Sequence, residues 1–200
     1  KIYLIEGKEA FAPTYIETNM AIAYAASMRS SCLKRKVGAV IVDIAGEVFS
    51  SGYNEVPAAN NTCKCEYGMC YRDKLKKDYK ETLGSVIKKS KEREAAYTLF
   101  KKNFKILDYC RALHAEENAI LNVARVGASA ALPASTLFTT TYPCNLCANK
   151  IAQVGIKHIV YFEPYPMEEA KKILEDKGVE QESFEGVTYN GYFRLMEVLF

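Results

Sequence analysis

Apolar and polar positions along this 200-residue chain change period several times, and each change marks an element. Residues 14–31 repeat at helical spacing, with Ile16, Met20, Ala23 and Ser27 near one face; Thr14 and Glu17 fit a capping box at its start. VGAVIVD (37–43) is a β-branched run and EVFSSGYN (47–54) a second strand, and the turn residues Asp43–Gly46 between them predict a hairpin. Residues 60–70 read as a cysteine-rich loop. From 72 to 105 the chain is charged, with helical spacing of Leu99, Phe100 and Phe104 and Gly84 as a break. HAEENAILNVAR (114–125) is a helix whose Ile120, Leu121 and Ala124 can face a core, with Leu113 packing ahead of it and Gly127 as its stop. STLFTTT (135–141) is a strand, and Pro143 opens a helix running to about Val154. HIVYF (158–162) is a strand and PMEEAKKILEDKG (166–178) a helix with acids early and lysines later.

Strands alternating with helices after an opening hairpin predict an α/β fold, a three-layer α/β/α sandwich around a mixed sheet of about five strands. A chain of this length supports one core, so the expectation is a single domain over residues 1–200 with a charged helical insertion at about 71–109. In that sandwich the helices near 114 and 144 bring their N-termini to one end of the sheet, a place suited to anions and thiolates.

Composition narrows the class. The chain is 49% hydrophobic and 26% charged, ordinary for a globular protein, and its net charge of +3 is too small to argue for nucleic acid. Yet residues 72–105 hold twelve Lys/Arg against five Asp/Glu. No apolar run is long enough to span a bilayer, and the charged KIYLIEGKEA start does not read as a signal peptide. Seven cysteines without an export signal suggest reduced thiols, metal ligation and a cytoplasmic setting. The start at Lys1 reads as a trimmed protein or one domain of a longer one.

The chemistry concentrates in two segments. His114-Ala115-Glu116 is followed by Pro143-Cys144-Asn145-Leu146-Cys147. Cysteines three apart on a helix share one side, and a helix N-terminus favours their thiolates. His114, Cys144 and Cys147 thus supply three ligands of a tetrahedral zinc, leaving the fourth position for water, whose pKa zinc lowers towards about 7. Glu116 is the acid/base that takes the water proton, hands it to a ring nitrogen and protonates the departing amine. CxxC alone is often structural zinc and HxE alone is close to noise; it is their ordered pairing at two helix starts that points to catalysis.

The pairing matches the H-x-E…P-C-x-x-C pattern of zinc nucleobase deaminases. With SCLKRKVGAVIV (31–42), SGYNEVP (51–57), HAEENAI (114–120), TTTYPCNLCANKI (139–151) and GIKHIVY (155–161), the chain resembles the deoxycytidylate deaminase branch of the cytidine deaminase-like superfamily. The resemblance implies hydrolytic deamination of a free deoxycytidine nucleotide, dCMP or dCTP, with one catalytic Zn2+ in a homo-oligomer. It implies that Asn54 contacts the substrate sugar; as a bare residue Asn54 reads equally well as a turn. Lys34, Arg35 and Lys36 could hold a 5′-phosphate or simply be solvated, and Tyr161 and Tyr165 could contact the pyrimidine, although core packing accounts for Tyr161 as well. Bacterial antiphage deaminases that fuse a kinase-like domain to such a domain are similar in carrying extensions, here the insertion and the C-terminal FEGVTYNGYFRLMEVLF.

Some relatives hold a structural zinc near equivalent positions. Cys63, Cys65, Cys70 and Cys110 would close such a second, tetrahedral site and staple the insertion to the catalytic helix; the alternative is four unrelated reduced cysteines. Cys32 is then left to be buried, and His158 to be structural. Glu55 departs from the family, which has glycine after GYN; its carboxylate either disfavours a nearby phosphate or faces another partner. Two rivals stay open. A nucleic-acid deaminase would use the basic insertion, which lacks the aromatic interleaving of a stacking platform. A non-catalytic zinc module would have no use for Glu116.

Overall fold

β1 (Gly38–Val42) is buried at every position because it lies inside a sheet covered on both faces. The structure, a computed structural model, describes residues 13–57, 61–103, 109–165 and 167–187. β1 pairs antiparallel with β2 (Val48–Tyr53) on one side and with β3 (Thr136–Thr141) on the other. β3, β4 (His158–Glu163) and β5 (Glu180–Ser183) run parallel, giving the order β2-β1-β3-β4-β5.

The strand period of two divides the core. Val40, Val42, Phe138 and Val160 face one side, where they meet Met20 and Ala23 of α1 (Tyr15–Ser27). Ala39, Ile41, Leu137 and Ile159 face the other, beneath α5 (Ala115–Arg125), α6 (Asn145–Val154) and α7 (Glu168–Asp176). This is the expected three-layer sandwich, with five strands. α1 begins at the expected capping box: Thr14 Oγ1 accepts from the Glu17 N–H at 3.2 Å, and the Thr14 N–H donates to Glu17 Oε2 at 2.9 Å.

Two expectations for α5 are corrected. Its core face is Ala115, Ala119, Ile120 and Val123, whereas Leu121 and Ala124 are exposed. Leu121 lies about 100° and Ala124 about 40° beyond the buried stripe, so residue type suggests core where the helical angle dictates exposure.

β2 and α5 approach at backbone distance. A Cβ on Gly52 would lie 2.2 Å from the Ala115 carbonyl oxygen and 2.4 Å from the Ala119 nitrogen. Ser50 Oγ donates to the Ala119 carbonyl at 2.7 Å, and the Asn118 and Asn122 amides donate to the Tyr53 and Ser51 carbonyls at 2.9 Å. The start of α5, where His114 and Glu116 sit, is thereby fixed to the sheet.

The described residues form two compact units, the sandwich and a second unit of 31–35 and 55–113. The second holds α2 (Cys63–Tyr67), α3 (Tyr71–Val86) and α4 (Ser90–Asn103). Residues 63–67 are therefore helical where a loop was expected, capped by Thr62 and ended by Gly68 at φ 67°. Gly84 lies inside α3, which runs on to Val86. α3 buries no residue fully; Tyr79 of α3 and Phe100 of α4 stack with centroids 3.8 Å apart. Glu55 belongs to this unit, and its partner is Ser31: the carboxylate accepts from the Ser31 N–H and hydroxyl at 2.7 Å and from the Val56 N–H at 2.8 Å. Phe104 and residues 188–200 of the C-terminal extension lie outside the described residues. Among the described residues no helix is long and apolar enough to cross a membrane.

Candidate active site

His114 and Cys144 occupy the N-cap positions of α5 and α6, and Cys147 lies one turn into α6. Each helix follows an extended segment, so the alternation of the fold places these N-termini side by side. His114 Nδ1 lies 3.3 Å from Cys144 Sγ and 3.4 Å from Cys147 Sγ. Among the described residues these three form the only group of His, Cys, Asp and Glu whose ligand atoms all lie within 4.8 Å of one another. One imidazole and two sulfurs, partly buried and converging from two helices, fit zinc with a fourth position left for a water or substrate atom.

The electrostatics suit metal ligation. The Cys144 thiol is held at about 3, first by the hydrogen bond from Cys147 and then by His114, against the opposing effect of burial. Cys147 is pushed up by the same hydrogen bond and by burial. The Cys144 thiolate in turn raises His114.

Glu116 is buried, 4% exposed, and its Oε2 accepts from Cys147 Sγ at 3.7 Å. Burial raises its carboxyl above the usual carboxylate range. A buried acid beside the ligand set that holds a proton more readily than an ordinary glutamate is what a proton shuttle requires.

The candidate substrate contacts are placed as follows. Asn54 is buried, and its Oδ1 accepts from the Val37 N–H at 2.7 Å, which orients the amide. Lys34 is ion-paired to Asp73 at 2.5 Å, a hydrogen bond that raises its ammonium above the ordinary value; Arg35 and Lys36 are exposed. Tyr161 and Tyr165 line a cavity of about 450 Å³ with Tyr142, Glu168 and Gln181.

Tyr142 donates to Gln181 Oε1 and packs edge-on against Tyr161, with centroids 4.8 Å apart. Burial pushes its phenol up to about 12. A raised phenol contributes stability that is complete below pH 10 and is lost as pH rises through about 12. Titrating phenolate absorbance should therefore show that Tyr142→Phe removes the component that ionises near 12; an unchanged titration in the variant would refute the assignment.

Cys63, Cys65, Cys70 and Cys110 supply no trio of converging ligand atoms. Cys63 and Cys65 are two apart on α2, so they point to different sides, and Cys65 is exposed. Burial raises the Cys110 thiol, which also feels Cys32 and Cys70; Cys32, expected from the sequence to be buried, is only half-buried. His158 pairs with Glu182 at 3.1 Å across β4 and β5, the structural part expected of it. Sequence reasoning passed over Glu117 and Lys150, which join α5 to α6 at 2.6 Å. Their signal was positional, each being three residues after a metal ligand and so one turn along the same face.

Comparison with known proteins agrees with this geometry. Residues 13–163 match the family model described as the cytidine and deoxycytidylate deaminase zinc-binding region. The chain is 35% identical over 177 residues to the deoxycytidylate deaminase of Enterobacteria phage T4, covering 82% of this chain and 86% of the phage protein. It is 34% identical over 173 residues to that of Schizosaccharomyces pombe, covering 85% of this chain; it spans only 44% of that relative's length. The dCMP deaminase of cyanophage S-TIM5, solved in complex with dCMP and dUMP, superposes with a TM-score of 0.58 at 26% identity, covering 88% of this chain and all of that one. With His114, Cys144, Cys147 and the buried Glu116 all inside the matched span, the chain belongs to the cytidine and deoxycytidylate deaminase zinc-binding family.

Proposed function

We propose that this protein hydrolytically deaminates dCMP, consuming water and releasing dUMP and ammonia. The observation that carries the reading is the buried Glu116 carboxylate against the Cys147 end of the His114–Cys144–Cys147 set. Family membership supports the reaction type, and the relatives named as deoxycytidylate deaminases support the substrate.

A bound zinc supplies Lewis-acid activation of water. The protein's own part is proton movement and positioning. Glu116 accepts a proton from water as the oxygen bonds to C4 of the base, and gives it to the ring nitrogen N3. It then takes the remaining proton from the new C4 hydroxyl and passes it to the amine; the C–N bond breaks as the C4 carbonyl forms, and ammonia leaves. Burial suits Glu116 to this task, since a carboxyl raised above the usual carboxylate range holds a proton more readily than an ordinary glutamate. The oriented Asn54 amide meets the sugar and Tyr165 meets the pyrimidine. Lys36 is a better candidate for the 5′-phosphate than Lys34, whose charge already faces Asp73. Reduced cysteines accord with a cytoplasmic setting, and the reading includes a homo-oligomer as the sequence resemblance implies.

The test is ammonia release from dCMP, dCTP, CMP, deoxycytidine and single-stranded DNA in parallel. dCMP should be consumed fastest. Activity confined to the polymer, or preference for dCTP, would overturn the substrate proposed.

A further inference from the structure

The imidazole and the two sulfurs come from different helices, so the ligand set is only as precise as the spacing between the first turns of α5 and α6. One side chain addresses both. Glu117, in the first turn of α5, points Oε2 back at the His114 N–H, a long contact of 3.4 Å. Its Oε1 meets Lys150 Nζ at 2.6 Å. Lys150 lies on α6, one turn beyond Cys147 and on the same face. The positive end of the pair thus stands on the thiolate helix and the negative end on the imidazole helix.

As a stability device this pair would matter little. The Lys150 and Glu117 side chains are 42% and 21% exposed, and ion pairs of that kind contribute on the order of 0–1 kcal/mol. Its position gives it another use, because groups that orient metal ligands govern how tightly the metal is held.

We propose that Glu117 and Lys150 form a positioning clamp that sets the spacing between His114 and the two cysteines and so governs how firmly the chain retains its metal. The inference rests on reading the three ligands as a zinc site. It does not depend on which nucleotide is the substrate.

The experiment measures zinc release into a chromogenic chelator for the wild type, Lys150→Met, Lys150→Arg, Glu117→Gln and the exchange Glu117→Lys with Lys150→Glu. Melting temperature, kcat and KM for dCMP are followed alongside. Lys150→Met and Glu117→Gln should release zinc about 10- to 100-fold faster. Their kcat should fall in proportion to zinc lost, with KM unchanged. Lys150→Arg should behave as wild type. The exchange is the discriminating variant, for it restores an ion pair between the helices but leaves an ammonium where a carboxylate must receive the His114 N–H. Its zinc release should stay fast. Wild-type retention in Lys150→Met and Glu117→Gln, loss of retention in Lys150→Arg, or full recovery in the exchange would each overturn the clamp. A wild type that keeps zinc and never turns over dCMP would sink the substrate reading instead, leaving the clamp intact.

Discussion

Replacing Glu116 with Gln should leave zinc bound and cut dCMP turnover by about a thousand-fold or more, the upper part of the range for loss of a general acid/base. The size of the loss follows from the number of transfers routed through one carboxyl, with no second buried acid beside the ligand set among the described residues. Glutamine has the same shape, so the packing around a side chain 4% exposed is kept. Zinc content by elemental analysis should equal that of the wild type, because Glu116 is outside the converging ligand trio. Turnover within ten-fold of wild type would remove Glu116 from the mechanism. Zinc lost together with activity would make it part of the metal site instead.

The second large effect concerns stability. Gly52→Ala should lower it by about 3 kcal/mol, the top of the usual overpacking range. The melting temperature should drop by about 6–12 °C for a chain of this size. The reason is that the new methyl meets only main-chain atoms, Ala115 O, Ala119 N and Ala119 Cα, and none of these can rotate away. Relief requires α5 to move off the sheet, and three side-chain hydrogen bonds to β2 and its flank resist that. Since His114 and Glu116 ride on the start of α5, zinc retention should fall with stability. Gly84→Ala is the control. That glycine is inside α3, its added Cβ would meet only Arg93 Nη1 at 3.6 Å, and alanine there should raise stability by about 0.5–1 kcal/mol. Equal melting temperatures for Gly52→Ala and wild type would show that strand and helix are not in backbone contact.

The sandwich and its metal ligands were legible in the sequence because their causes are local. VGAVIVD is buried on both faces and so has no polar alternation, and Cys144 and Cys147 are one helical turn apart. What escaped depends on neighbours distant in sequence. β5 reads Glu-Gln-Glu-Ser with no apolar position; it becomes a strand only because β4 offers a free edge in register, pairing His158 with Glu180 and Tyr161 with Ser183. Leu121 looks like core by type, but the angular position on α5 decides its exposure. Direction, invisible in a count of thiols, separates Cys63 from Cys65 on α2. Glu55, a departure from the family pattern, found a partner 24 residues earlier in Ser31.

β5 also bears on how the protein keeps to itself. It is the outermost strand of the described sheet, and its outer rim of main-chain donors and acceptors is a template on which a foreign backbone could add. Glu180 lies on this strand and Glu185 just beyond it, both exposed, while Glu182 faces His158 of β4. An approaching strand must strip water from these carboxylates and bring its own groups against them, which discourages stacking of one sheet onto the next. The apolar poverty that hid this strand from sequence reading is thus what protects the exposed margin of the sandwich from fibre-like association.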